Sequence, residues 1–295
     1  MNGKTAIITG ANSGLGFETS LKLASNNSAV IMVCRSEKKG KAAMESIIEK
    51  SGNDHVTLEI ADLASQSEVR ALAGRIQSAY DKVDVLVNNA GLIMSDHKYT
   101  VDGIETTFAV NHLAPFLLTR NLLPLLSEAE DARIVNVSSN NHFKADINFE
   151  DIHHQENFSG LKAYGQSKLA NVLFTYELNR RLKRNGLNHI SINALDPGLI
   201  NTDIGNKKTG WLYSIAWHIR KRQGISPEKG SRTQVYLASS DEVRSLTGKY
   251  WRNSKAFPSS KASYNTQHAE QLWELSMDLC GLDNYINRVR TSYVR

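Results

Sequence analysis

Six short runs constrain the fold of this chain more than any other feature: "TAIIT" (5–9), "AVIMVC" (29–34), "VTLEIADL" (56–63), "VDVLVNN" (83–89), "RIVNVSS" (133–139) and "HISINAL" (189–195). All are nearly continuously apolar and β-branched. A strand with one wet face alternates polar and apolar residues, so runs of this kind belong inside a parallel sheet that is covered on both sides. The intervening segments are long enough for helices. Phe17, Leu21 and Ala24 fall on one face of the first, Ser65 and Glu68 form a capping box for another, and Ser226 followed by Pro227 opens a late one. Strand and helix alternation with right-handed crossovers predicts an α/β fold, a doubly wound parallel sheet flanked by helices. No linker, repeat or low-complexity stretch divides residues 1–295, which are therefore read as one domain.

The first strand runs directly into "TGANSGLG", where Gly10, Gly14 and Gly16 lead into a helix. Glycines there allow a tight turn and let backbone N–H groups at the helix N-terminus approach a pyrophosphate. This makes the sheet Rossmann-type and assigns Gly10, Asn12, Ser13, Gly14, Leu15 and Gly16 to a dinucleotide. The spacing is TGxxxGxG rather than GxGxxG. About twenty residues further on, an NAD-binding protein places a carboxylate against the adenosine ribose. This chain has Arg35 there, in "VCRS". A carboxylate repels a 2′-phosphate and a guanidinium grips it, so the expected cofactor is NADP(H), with Ser36 and Lys39 as helpers. The alternative is that Arg35 is a solvated charge at a strand end. Asp62 and Leu63 end the third run and "NNAG" (88–91), with Asn89, Ala90 and Gly91, ends the fourth, both at the sheet edge where ligands bind. Asp62 could accept from the adenine amino group or cap the helix near Ser65.

The stretch "KAYGQSKLAN" (162–171) places Tyr164 and Lys168 one helical turn apart. Alone the pair reads as a half-buried ring beside a solvated ammonium. Together, TGxxxGxG, NNAG, a serine ending the fifth strand and YxxxK on the next helix resemble the classical short-chain dehydrogenases/reductases over nearly the whole chain. "TGANSGLGFETS", "VCRSEKKG", "VNHLAPFLLT", "SKLANVLFTYELNRRL" and "TGKYWRNSK" are similar to the retinol dehydrogenase group, which includes relatives of the WW-domain oxidoreductase.

The resemblance implies Tyr164 as general acid/base, Lys168 beside it, Ser139 as donor to the substrate oxygen, and Asn111 holding a water on a proton relay. Ser138 and Ser139 point to opposite strand faces, and the subfamily pattern selects Ser139. Asn111 could otherwise be a core amide mending a helix kink. The resemblance also brings Pro197, Gly198 and Thr202 of "DPGLINT" to the nicotinamide, and makes Tyr164 and Lys168 cofactor contacts. The chemistry accounts for the residue types: a tyrosine ionising near pH ~10 is a poor base at neutral pH, and an ammonium about 5 Å away at an effective dielectric of about 20 favours phenolate by roughly 3 kcal/mol.

The expected function is therefore an NADP(H)-dependent oxidoreductase acting on an alcohol/carbonyl pair, an apolar aldehyde or ketone. "GWLYSIAWHIRKRQ" (210–223) joins Trp211, Leu212, Ile215 and Trp217 to basic residues. It reads as part of a substrate lid over 203–225 that touches membrane, or else as an amphipathic core helix. Competing readings are a non-catalytic dinucleotide-sensing regulator and a protochlorophyllide-reductase-like enzyme.

The formal charge of +5 is spread without a nucleic-acid motif, so no nucleic-acid partner is expected. Cys34 and Cys280 are too few for a disulfide framework, and no metal is expected; His142, His153 and His154 read as loop residues. With no signal peptide or membrane-length apolar run, a cytoplasmic location follows, peripheral membrane contact and oligomerisation being open.

Overall fold

The computed structural model describes residues 1–198 and 225–286. The proposed lid apart from Ile225, including Trp211, Leu212, Ile215 and Trp217, lies outside the described residues, as does Thr202. The strands are β1 (Thr5–Thr9), β2 (Ala29–Cys34), β3 (Val56–Ile60), β4 (Val85–Asn88), β5 (Ala132–Val137), β6 (Ile190–Asp196), β7 (Lys249–Arg252) and β8 (Lys255–Ala256). They form one sheet in the order β3-β2-β1-β4-β5-β6-β7-β8. Every pair is parallel except β7 with β8. The order reverses between β1 and β4, and at such a switch point the loops at the strand C-termini diverge and leave a crevice.

The helices are α1 (Gly14–Ser25), α2 (Glu37–Ser51), α3 (Gln66–Ala79), α4 (Thr106–Phe108), α5 (Ala114–Ser127), α6 (Gly160–Arg184), α7 (Pro227–Ser239) and α8 (Thr266–Leu279), with a π turn over Ala109–Leu113 between α4 and α5. The period-two alternation of each strand sends its side chains to two cores. Ile7, Ile31, Leu86, Ile134 and Ile192 meet α3, α5, α6 and α8 on one face. Ala6, Ile8, Val30, Met32, Val87 and Leu195 meet α1, α2 and α7 on the other. Both faces are thus covered, which is why these runs carry so few polar residues.

Three local expectations change. The buried face of α1 is Leu15, Gly16, Thr19, Ser20, Leu23 and Ala24, with Phe17 and Leu21 at its margin. The face turns because α7 packs there, and Thr19 Oγ1 donates to Gln234 Oε1 at 2.9 Å. Ser65 Oγ accepts from Glu68 N–H at 3.4 Å as a cap should, but Glu68 Oε2 accepts from Asp62 N–H at 2.7 Å instead of returning to Ser65. The Ser65 N–H is already engaged with the Asp62 carbonyl. Finally, β3 stops at Ile60, since it is the sheet edge and has only β2 to pair with.

Candidate active site

The crevice is built first by backbone. Gly10 has φ +68° and Gly14 φ +57°, in the left-handed region open to glycine. A Cβ on Gly16 would stand 2.3 Å from the Gly10 carbonyl oxygen and 2.6 Å from Asn89 Nδ2, so only glycine lets α1 start this close to β1 and β4. Ser13, the residue before α1, makes no side-chain cap, which leaves the first amides of α1 to the crevice. Asn89 closes the floor: its Nδ2 donates to the Thr9 carbonyl at 2.8 Å, and Thr9 Oγ1 accepts from the N–H groups of Asn89 and Ala90 at 3.0 and 2.9 Å. An uncapped helix start over a glycine cradle fits an anionic diphosphate.

At the crevice rim Arg35 is exposed just beyond β2. Ser36 caps α2, accepting from Lys39 N–H at 3.4 Å. Asp62 Oδ1 accepts from Ala64 N–H at 3.0 Å, so the carboxylate shapes the loop after β3 next to half-buried Leu63. Asn12 is half-buried in the glycine turn.

α6 brings Tyr164 and Lys168 to the C-terminal end of β5. Lys168 Nζ lies 5.5 Å from the centre of the Tyr164 ring and donates to the Val137 carbonyl at 3.0 Å. Lys168 is buried, and burial pushes its ammonium down to about 8. A Cβ on Gly91 would stand 3.3 Å from that Nζ, so the last residue of NNAG makes room for the lysine. Burial pushes the Tyr164 phenol up to about 12, offset in part by the neighbouring Ser139 hydroxyl. The lysine charge favours ionisation, but in the folded chain desolvation dominates, and Tyr164 is a protonated phenol at neutral pH.

The two serines part as strand geometry requires. Ser138 is buried and its hydroxyl donates to the Lys168 carbonyl at 2.8 Å, while Ser139 remains half-buried beside Tyr164. Asn111 sits in the π turn. Its Nδ2 donates to the Leu92 carbonyl at 2.8 Å and to Ser167 Oγ at 3.0 Å, and its Oδ1 accepts from Leu92 N–H at 2.8 Å. Its side chain thus ties the loop after NNAG to α6, and its own carbonyl accepts from Asn171 Nδ2 at 2.8 Å. Pro197 and Gly198, the latter at φ +83°, turn the chain after β6, and Gly198 N–H donates to Asp196 Oδ1 at 3.0 Å.

Several supporting residues escaped sequence reasoning. Gln234 on α7 donates to Asn89 Oδ1 at 3.3 Å, a contact across 145 positions that no local pattern announces. His142, expected in a loop, is buried; its Nδ1 donates to the Ser139 carbonyl at 2.7 Å and its Nε2 accepts from Ser260 N–H at 3.0 Å. Burial holds this imidazole below its usual range, consistent with the neutral form those two bonds require. His153 Nδ1 accepts from Glu105 N–H at 3.3 Å, a loop-fixing role. Among the described residues no group of three or more His, Cys, Asp or Glu could hold a metal.

A glycine cradle at the switch point of a doubly wound sheet, with a tyrosine, a lysine and a serine beside it, fits one class: a dinucleotide-dependent oxidoreductase. Residues 4–212 match the model of the short chain dehydrogenase family, and the chain belongs to that family of nicotinamide-dependent oxidoreductases. It is 37% identical over 280 residues to retinol dehydrogenase 12 of Mus musculus, covering 95% of this chain and 87% of that one. It is 39% identical to retinol dehydrogenase 13 of Homo sapiens, covering 95% and 86%, and 36% identical to human polyprenol dehydrogenase over the same shares. The similarity to the retinol dehydrogenase group read from the motifs is thereby borne out. Among solved structures, an uncharacterised protein from Mycobacterium paratuberculosis superposes with a TM-score of 0.79 at 33% identity, covering 97% and 96%. A short chain dehydrogenase from Shigella flexneri complexed with NADP shares the fold at TM-score 0.68 and 23% identity, covering 86% and 98%. Among the described residues no helix is long and apolar enough to cross a membrane.

Proposed function

We propose that this chain is an NADP(H)-dependent oxidoreductase of an alcohol/carbonyl pair whose substrates are apolar aldehydes or ketones. The observation that carries the reading is the convergence of Tyr164, Lys168 and Ser139 on one edge of the glycine-lined crevice. When bound, reduced nicotinamide supplies the hydride. Ser139 then donates a hydrogen bond to the substrate oxygen where negative charge grows, and the Tyr164 O–H breaks to deliver its proton to that oxygen. The phenolate left behind recovers a proton from solvent. Lys168 holds a positive charge beside the phenolate and would contact the cofactor ribose. Asn111 keeps the wall between Leu92 and Ser167 in place and would hold a water on the relay that returns this proton.

NADP(H) is favoured by Arg35, exposed where a ribose-binding carboxylate would otherwise stand. Arg35→Asp is expected to lower kcat/KM for NADPH by roughly 1.5 to 3 kcal/mol in transition-state terms and to raise it for NADH. Unchanged relative kcat/KM for the two would remove the assignment. The apolar substrate class is favoured by the names of the similar retinol and polyprenol dehydrogenases. A homologous series of straight-chain aldehydes tests it: affinity should rise by about 0.8 kcal/mol per added CH₂ until the pocket is full. A preference for small polar carbonyls would refute it.

A further inference from the structure

Ser139 stands where its own strand no longer holds it. β5 ends at Val137, and Ser138 is the last residue tied to both neighbours, its N–H donating to the Leu195 carbonyl and its hydroxyl to the Lys168 carbonyl, each at 2.8 Å. Ser139 follows in extended backbone, φ −164° and ψ 156°, and opens a 3₁₀ turn over Asn140–Lys144. Within the turn the Asn141 N–H donates to Ser139 Oγ at 3.3 Å, which occupies a lone pair and leaves the hydroxyl proton to an acceptor outside the turn.

The Ser139 carbonyl accepts twice, from the His142 N–H at 3.1 Å and from His142 Nδ1 at 2.7 Å. Through the imidazole the turn is tied to a distant part of the chain. His142 is fully buried, its ring centre 4.7 Å from that of Tyr250 on β7, and its Nε2 accepts from the Ser260 N–H at 3.0 Å. A backbone N–H only donates and a carbonyl only accepts, so the two partners fix the tautomer with the proton on Nδ1. Ser260 is held in turn: the adjacent Ser259 Oγ lies 2.7 Å from the Tyr176 hydroxyl oxygen on α6, and the Phe257 N–H donates to the Tyr250 carbonyl at 2.8 Å. The turn also packs on α6 next to Tyr164, where a Cβ on Gly165 would stand 3.2 Å from Ala145 Cβ and 3.4 Å from the Asn141 carbonyl oxygen.

We propose that His142 is a positioning residue for Ser139: its Nδ1–H, oriented by the Ser260 N–H, clamps the Ser139 carbonyl and so holds the Ser139 hydroxyl toward the substrate oxygen. It acts through Ser139 and is not itself a catalytic residue. The inference rests on the proposed part of Ser139 in the reaction.

Asparagine and glutamine at position 142 divide the two bonds between them. The asparagine amide puts N–H groups where Nδ1 stands and nothing at Nε2; glutamine puts an oxygen where Nε2 stands and no donor at Nδ1. His142→Asn therefore keeps the grip on Ser139 but leaves the buried Ser260 N–H unpaired, whereas His142→Gln keeps Ser260 paired and leaves the Ser139 carbonyl only the backbone N–H of residue 142. The expected effects run in opposite order. His142→Asn should lose more thermal stability and keep a kcat near the parent's, while His142→Gln should be the more stable and lose roughly ten- to a hundredfold in kcat with little change in KM for the carbonyl. In a Ser139→Ala background, itself slower by roughly a hundredfold or more, His142→Gln should have no further effect, because the hydroxyl it positions is gone. Rates that follow thermal stability in both variants, or a His142→Gln loss that is the same with and without the Ser139 hydroxyl, would overturn the inference. Should His142→Gln fail to fold, His142→Asn decides: a parent-like kcat at lowered stability upholds the clamp, and a kcat that falls with stability overturns it. Nitrogen NMR of the parent chain should show the Nδ1–H tautomer, and an Nε2–H ring would overturn the clamp whatever the rates. A Ser139→Ala variant that keeps the parent's kcat would instead overturn the reading of Ser139, and the inference with it.

Discussion

Tyr164→Phe is expected to lower turnover by roughly a hundred- to ten-thousand-fold, the usual contribution of a positioned acid/base, while leaving NADPH affinity nearly unchanged. The ring itself packs on α6 above Lys168, and phenylalanine retains that packing. What is lost is the hydroxyl beside Ser139, and with it the proton that the proposed reaction draws from it. Calorimetric titration with NADPH, run beside steady-state rates, separates the two roles. A variant that keeps a large share of its kcat would show that another group protonates the substrate.

Lys168→Met should do two opposite things: abolish efficient turnover and stabilise the cofactor-free protein. Lys168 is 3% exposed, and burial depresses its ammonium from 10.5 to about 8. At neutral pH the folded chain therefore carries a buried cation at a cost on the order of 2–3 kcal/mol, which methionine removes. Losing the Nζ bond to the Val137 carbonyl offsets part of the gain, although Asn171 Nδ2 still approaches that oxygen at 3.4 Å. The pH dependence fixes the cause. A base whose folded value is depressed carries its full penalty below about 8; the penalty shrinks as pH rises and is gone above 10.5. Denaturant unfolding should find the variant more stable than the parent at pH ~7, with the gap closing across that window. A variant less stable than the parent at neutral pH would show that the lysine holds the fold together rather than straining it.

Much of this architecture was legible because parallel strands buried on both faces cannot hide. Each of the six apolar runs overlaps a strand, and the glycine turn announces itself by residues that no side chain could replace, Gly16 above all. β7 and β8 were not legible. "KYWR" mixes charge with aromatics, since its lysine and arginine reach toward solvent while Tyr250 and Trp251 are buried. The tilt of the α1 face was hidden too, because it is set by Gln234, far along the chain. In the site, the motifs single out Tyr164, Lys168, Ser139 and Asn111 but give neither their burial nor their neighbours. The lysine charge beside Tyr164 can be read from the four-residue spacing, whereas the desolvation that dominates in the folded chain cannot.

The central claim, that Tyr164, Lys168 and Ser139 carry out carbonyl reduction with NADPH, is tested most directly by mixing purified protein with NADPH and a long-chain aldehyde or retinal, and following cofactor oxidation and alcohol formation together. The account predicts one alcohol formed for each NADPH oxidised, in the parent chain and not in Tyr164→Phe. NADPH that binds tightly but is oxidised by no carbonyl across apolar and polar panels would contradict it and turn the reading toward a dinucleotide-sensing protein.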